Sequence, residues 1–281
     1  MADHDSNVQF FSNELCDALF AAVLVHDDIH LESTLPDAIH FDYAQAQFEQ
    51  CYRICLQVWR QGTSREALLH VRRKVQTKRA LTAQEQVDFK YMRAKFKHLR
   101  FAYMTLDRRH RYPRLFHYLT GEMGNLQDAL KNQQYDALRR PLFTLNLLLS
   151  RPLYALMTSK LQQFQASDSA HFKFYIQKEI AFVHAHLANN EVTSKAFHET
   201  RKVISRLVAL YDNLKILFPS DYHEQVSRFL STLNGLMGAM HDELIVQKFK
   251  DEKHYYSAPI EIPFEIKKRL SELVEKFGAA C

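Results

Sequence analysis

The sequence predicts an all-α protein whose long helices pack as bundles. Apolar residues recur with the helical period along nearly the whole chain, and no alternating Val/Ile/Thr run bounded by turns marks a strand. Only six of the 281 residues are glycine and seven are proline, far below the level that is typical of a disordered chain. One ten-residue segment occurs twice in lightly edited form. Helices as long as those predicted here, roughly 20 to 30 residues, usually pack as bundles.

Capping residues set the predicted helix boundaries. Thr82 with Glu85 has the spacing of a capping box, and Gly62 and Gly278 suit helix ends. Three prolines stand at predicted helix starts, where a missing N–H costs nothing: Pro113, Pro152 and Pro263. We therefore expect eleven helices in chain order, over 8–24, 37–61, 64–79, 83–111, 114–132, 135–149, 152–165, 169–188, 193–217, 221–248 and 262–277.

The chain lacks a low-complexity linker, and the Ala-Ser-Asp stretch at 166–168 is its most natural midpoint. The predicted divisions are a partly helical N-terminal segment, an N-terminal helical half, a C-terminal helical half, and a connector with a last helix, over 1–35, 36–165, 166–250 and 251–281.

Composition limits the class of protein. The formal net charge is +5 with a sequence pI near 8.9, a balance that permits a polyanion partner without requiring one. Cys51 and Cys55 lie one helical turn apart and no CxxC pair occurs, which favours a reduced, cytoplasmic chain. The polar start MADHDSN is unlike a signal peptide, and no apolar run of about 18 residues predicts a membrane span. No metal-ligand or catalytic pattern is found, so we expect a non-enzymatic protein without a cofactor.

The repeated segment is GEMGNLQDAL at 121–130 and GLMGAMHDEL at 235–244. Two glycines three residues apart recur in both copies, although an interior helical glycine costs about 1 kcal/mol against alanine. Since glycine has no Cβ, the pattern indicates that a neighbouring helix approaches closely here. An aspartate four residues later lies on the same face and could pair with an arginine of a neighbouring basic helix. The matched residues are Gly121 with Gly235, Gly124 with Gly238, and Asp128 with Asp242.

A basic amphipathic helix precedes each copy, so the repeated unit is a helical hairpin of roughly 45 residues. On the first basic helix, cations fall at i, i+3, i+7 and i+10 on one face, and the second has a shorter basic face. Stacked like charges repel each other, which suggests that an anion neutralises them. A solvated surface stripe is the alternative reading. The residues are Lys90, Arg93, Lys97 and Arg100 on the first helix, and His198, Arg201, Lys202 and Arg206 on the second. One further arginine stands seven residues before each glycine segment, Arg114 and Arg228.

The start of the first basic motif has two possible registers. HVRRKV at 70–75 matches HETRKV at 198–203 at its His, Arg, Lys and Val positions, so the motif could start at His70 with Arg73 and Lys74. In the other register it starts at Lys90, with the histidine replaced.

These segments resemble the CHAD family, the conserved histidine α-helical domain. HETRKVISRL and MGAMHDELIV carry the resemblance in the C-terminal half, and KHLRFAY and MGNLQDAL carry it in the N-terminal half, over roughly residues 40–250. The resemblance implies two pseudo-symmetric antiparallel helical bundles around a basic groove. It also implies binding of inorganic polyphosphate, sometimes in association with storage granules.

By the same resemblance, the cations of the two basic helices, with Arg114 and Arg228, are expected to line the groove. The expected function is capture of polyphosphate without catalysis. Two alternatives stay open: a helical scaffold for protein or, less favoured, nucleic-acid partners, and an accessory subunit of a triphosphate-hydrolysing enzyme. No membrane association is expected.

Overall fold

The computed structural model describes residues 10–188 and 191–280, so the N-terminal MADHDSN and Cys281 lie outside the described residues. Within these ranges the chain is all-α, as predicted, and no strand occurs there. A short 3₁₀ helix at Tyr135–Leu138 leads directly into α6. The α-helices are α1 (Asn13–Leu24), α2 (Gln45–Gly62), α3 (Arg65–Lys78), α4 (Ala83–Leu106), α5 (Arg114–Lys131), α6 (Arg139–Leu148), α7 (Arg151–Leu161), α8 (Ser169–Leu187), α9 (Ser194–Leu217), α10 (Asp221–Lys250), α11 (Glu252–Ser257) and α12 (Phe264–Ala279).

Most predicted helix starts are confirmed by their caps. Thr82 accepts a hydrogen bond from the Glu85 backbone N–H, and the Glu85 carboxylate accepts from Thr82 N, which completes the predicted capping box of α4. Ser64 and Ser220 cap α3 and α10 in the same manner, each accepting from a backbone N–H three residues later.

Several predicted boundaries are wrong. The predicted helix 8–24 begins at Asn13 and the predicted helix 152–165 ends at Leu161. The second predicted helix begins at Gln45, after a non-helical stretch in which Leu35, Ile39, Phe41 and Tyr43 are buried. The predicted helix 83–111 ends at Leu106, where the buried Asp107 accepts backbone N–H bonds of the following turn and of Gln165. The connector after residue 250 contains the short helix α11, which was not predicted.

The core lies between two helical hairpins, α4–α5 and α9–α10. Helices α9 and α10 pack along each other, α2 packs on α4, and α4 packs directly against α9. The apolar faces of both amphipathic basic helices belong to the core. Their residues are fully or almost fully buried: Phe96, Leu99, Tyr103, Val203, Leu207, Leu210 and Leu214.

The N-terminal segment is part of the fold. Helix α1 packs on α9, α2 and α4, and the loop after it crosses α10. Ser231 donates to the Val25 and Asp28 carbonyls, and Asn234 donates to the His26 carbonyl at 3.1 Å. This loop therefore contributes a wall to one of the cavities described below, through His26 and Asp27. Among the described helices, none combines the length and hydropathy of a membrane span.

Candidate functional site

Two adjoining cavities lie along the contact of α4 with α9. We call them the mixed cavity, about 430 Å³, and the basic cavity, about 400 Å³. Arg93, Lys97 and Arg201 contribute to the walls of both. The two predicted basic helices thus bring their charged faces together at one place.

The two cavities differ in charge. The mixed cavity balances its cations with four carboxylates, Asp27, Asp128, Asp212 and Asp242. The basic cavity has only two carboxylates, Asp128 and Glu199, against seven cations. Those cations are Arg93, Lys97, Arg100, Lys195, Arg201, Lys202 and Lys248. An anionic ligand is therefore favoured in the basic cavity rather than in the mixed one.

The repeated glycines accommodate arginine side chains. A Cβ added at Gly124 would lie 2.8 Å from Arg93 Nη2, and one added at Gly238 would lie 2.9 Å from Arg201 Nη2. A neighbouring helix thus approaches both positions, as expected, and it does so through the guanidinium of an arginine side chain. The same arginine–glycine contact thus occurs once in each hairpin.

This contact bears on the register of the first motif. It is made by Arg93 on α4, while α3 lies outside both cavities. Lys74 on α3 pairs with Glu85, and His70 lies 3.8 Å from the same carboxylate. The geometry that matches the second hairpin is therefore found in the Lys90 register.

The other glycine of each pair has a different environment. At Gly235 an added Cβ would lie 2.1 Å from the Asp27 carbonyl oxygen, so the loop after α1 packs against the backbone of α10. At Gly121 no atom lies within 4 Å, and the residue lines the basic cavity. The hairpins therefore differ at this position: one is covered by the chain itself and the other faces open space.

Several buried nitrogen atoms around the basic cavity have no hydrogen-bond partner among the described residues. The Nε atoms of Arg93, Arg100 and Arg201 are buried and unpartnered, as is His198 Nδ1. Both ring nitrogens of His241, 8% exposed, also lack a partner, since Asp242 Oδ1 lies 3.8 Å from Nδ1. Buried polar groups are almost always hydrogen-bonded, so these nitrogen atoms need water or a bound anion as a partner.

Burial and mutual repulsion lower the proton affinity of these groups. The pKa of Lys97 is held well below its usual value by burial and then by Arg201, Arg93 and Arg100. Burial lowers the pKa of Arg100 to about 10. Burial, with His241 and the nearby cations, lowers the pKa of His198 to about 2, so its ring is neutral. The rings of His198 and His241 stack with centroids 4.6 Å apart. The cavity therefore disfavours positive charge that an anion would stabilise.

The two repeat aspartates do not form the expected ion pairs with arginine. Asp242 accepts from Lys131 of the other hairpin at 2.7 Å, so it joins the hairpins across the mixed cavity. Asp128 makes no ion pair with a described residue, although its charge raises the pKa of Arg93 against the effect of burial.

Three predicted binding residues lie outside both cavities. Arg206 is 8% exposed, pairs with Glu179 of α8 and donates to Tyr112 Oη at 3.3 Å. Arg228 pairs with Glu32 at 3.1 Å. Arg114 lines a separate cavity between α5 and α7. The remaining predicted residues line the cavities: Lys90 lines only the mixed cavity, Arg100, His198 and Lys202 line the basic one, and Arg93, Lys97 and Arg201 line both.

Sequence reasoning missed several residues of the site. Lys195 lies three residues before His198 on the same helix face, so its spacing could have revealed it. His241 stands in the second repeat where Gln127 stands in the first, and both line the mixed cavity. Lys248 lies beyond the repeated segment and carried no signal.

Among the described residues, no cluster of three or more His, Cys, Asp or Glu side chains could hold a metal ion. Comparison of the chain with protein-family models, curated proteins and solved structures found no match.

Proposed function

We propose that this protein binds inorganic polyphosphate, or a polyanion of similar charge density, in the basic cavity, and that it captures the chain without cleaving it. The observation that carries the proposal is the set of buried guanidinium Nε–H groups without acceptors around one cavity. A buried charged donor without a partner is costly, and a phosphate oxygen would satisfy it.

The kind of donor favours phosphate. Arginine presents a planar fork that matches phosphate oxygens, and Arg93, Arg100 and Arg201 bring three such forks to one cavity. Lysines at the same cavity contribute compact charge that does not depend on a fixed geometry. A flexible anion with about one charge per phosphate could satisfy donors on both hairpins at once.

The repeated contact supports a pseudo-symmetric arrangement of the hairpins. Arg93 with Gly124 in one hairpin corresponds to Arg201 with Gly238 in the other, and α4 packs directly on α9. We propose that the two hairpins present equivalent arginines to opposite sides of one bound chain, and that the protein is related to the CHAD family, whose motifs supply these residues.

The carboxylates of the basic cavity favour capture of the anion without cleavage. Glu199 accepts from Lys202 at 2.7 Å, and Asp128 lies in the field of Arg93 and Arg201. Both carboxylates of the basic cavity are thus placed to balance cations. Affinity should come largely from counterion release and fall steeply with added salt, as it does for nucleic-acid backbones.

The test is titration with long-chain polyphosphate at two salt concentrations, with heparin and single-stranded DNA as competing polyanions. We expect tight, salt-sensitive binding that is selective for polyphosphate. Arg201→Gln should weaken it by about tenfold or more, the value of one charge-assisted contact. Arg228→Gln, which removes an equal charge outside the cavity, is the matched control. Equal weak binding of all three polyanions, or equal effects of both variants, would reduce the site to general basicity.

A further inference from the structure

A third cavity, here called the apolar cavity, lies between the end of α4, the start of α5 and one face of α7. Its volume is about 380 Å³, within the range of small-molecule sites. Phe116, Met157 and Tyr103 are almost completely buried and form its floor. Pro113 and Leu156 belong to its wall, and Leu156 is 47% exposed.

Cations surround this apolar floor. Arg111, Arg114 and Lys160 line the cavity, and no carboxylate of the described residues does. Arg111 and Arg114 form no ion pair with any described residue, and Lys160 donates only to the neutral Gln163 side chain at 3.1 Å. Their charges are therefore not compensated within the fold.

The fourth cation, Arg109, is hydrogen-bonded to residues of the cavity wall. Its guanidinium donates to both Asp107 oxygens, at 2.7 and 2.8 Å, and to the Gln163 carbonyl. This network closes one side of the cavity and fixes the loop that carries Arg111 and leads into Arg114, the first residue of α5. Two guanidinium groups without ion-pair partners thus stand beside a buried apolar surface.

We propose that the apolar cavity binds a small organic anion whose flat or short acyl body lies on Phe116 and Met157 and whose carboxylate, phosphate or sulfonate group faces Arg111 and Arg114. Burial of a hydrocarbon body against the apolar surface is favourable, and guanidinium groups without ion-pair partners can form charge-assisted hydrogen bonds with a single anionic head. Inorganic polyphosphate has no apolar part and gains nothing from this floor. The assignment is independent of the polyphosphate proposal, because none of its residues lines the basic cavity.

The probe is 8-anilinonaphthalene-1-sulfonate, followed by its fluorescence, with the uncharged N-phenyl-1-naphthylamine as its partner. In the Arg111→Gln/Arg114→Gln double variant, the sulfonate should bind about tenfold more weakly, while the uncharged dye should bind unchanged. Arg139→Gln/Lys268→Gln removes the same charge at exposed positions outside all three cavities and should leave both dyes unaffected. Equal loss of sulfonate affinity in both double variants would overturn the proposal.

A second pair of variants tests the location without changing the core. Leu156 is exposed at the cavity wall, so Leu156→Asp and Leu156→Lys should both fold. The aspartate should weaken sulfonate binding by about tenfold relative to the lysine, because the two differ in the sign of the charge beside the head group. If the two variants bind the sulfonate equally, the dye lies elsewhere and the proposal fails.

Discussion

Replacing Gly124 by alanine should make the protein more stable and a weaker binder. Alanine is favoured over glycine in a helix interior by about 1 kcal/mol, and Gly124 lies well inside α5. The new Cβ would stand 2.8 Å from Arg93 Nη2, whereas unstrained contacts of carbon need about 3.5 Å. Because Arg93 Nη2 is the end of a flexible side chain, the guanidinium can move away at little cost.

The movement needed is roughly 0.7 Å, the difference between those two distances. A displacement of that size would move a hydrogen bond from the guanidinium to phosphate, normally near 2.9 Å and close to linear, out of its favourable geometry. Loss of one charge-assisted bond costs about 1.5–3 kcal/mol, or roughly 10- to 100-fold in Kd. Gly238→Ala should behave alike, since its Cβ would stand 2.9 Å from Arg201 Nη2.

Urea unfolding measures the free energy of unfolding, and polyphosphate titration of the same preparations measures Kd. Gly278→Ala is the matched control, because its methyl group meets no atom within 4 Å and α12 does not line the basic cavity. It should leave affinity unchanged. If Gly124→Ala binds as tightly as the wild type, Arg93 is not a ligand. If the Gly124→Ala variant is less stable than the wild type, the Arg93 guanidinium cannot move away from the new Cβ at little cost.

Three further predictions follow from buried groups. Gly235→Ala should destabilise the fold by more than 1 kcal/mol in urea unfolding despite its better helix propensity, because its Cβ would meet the Asp27 backbone oxygen; a stabilised variant would show that the loop yields easily. Burial raises the pKa of Asp212 to about 7, so the folded state keeps a proton that the unfolded state releases, and wild-type stability is lost as pH rises from about 4 to 7. The free energy of unfolding of Asp212→Asn minus that of wild type should therefore rise by up to about 1.4 kcal/mol per pH unit there; a flat difference would contradict the raised pKa. Polyphosphate should raise the depressed pKa values of Lys97 and His198, so calorimetry in buffers of different ionisation enthalpy should show proton uptake and affinity should rise as pH falls; binding without proton exchange would place the anion away from them.

The helices were predictable because period and caps are local signals. Thr82 with Glu85 set the start of α4, and the stripe of Phe96 and Leu99 identified its buried face. The stretch 37–44 was wrongly predicted as the start of a helix, although it is a non-helical segment between two helices in which Ile39, Phe41 and Tyr43 are buried. Periodicity over so short a stretch does not separate the two structures.

The site was predicted in part, for a physical reason. Spacing on one helix correctly grouped Arg93, Lys97 and Arg100, since residues three and four apart share a face. It could not show that Arg206 is neutralised by Glu179, an acid on another helix. Neither could it show what fills the space beside Gly124, because the approaching atom belongs to α4.

We propose that the buried guanidinium groups of Arg93 and Arg201 bind an anionic acceptor. The most direct test of this proposal is a crystal structure of the protein with tripolyphosphate, determined beside ligand-free crystals. We predict phosphate oxygens in the basic cavity within about 3 Å of both arginine Nε atoms, with Gly124 and Gly238 behind them. Tripolyphosphate bound only elsewhere, with both Nε atoms still unpartnered, would contradict the claim.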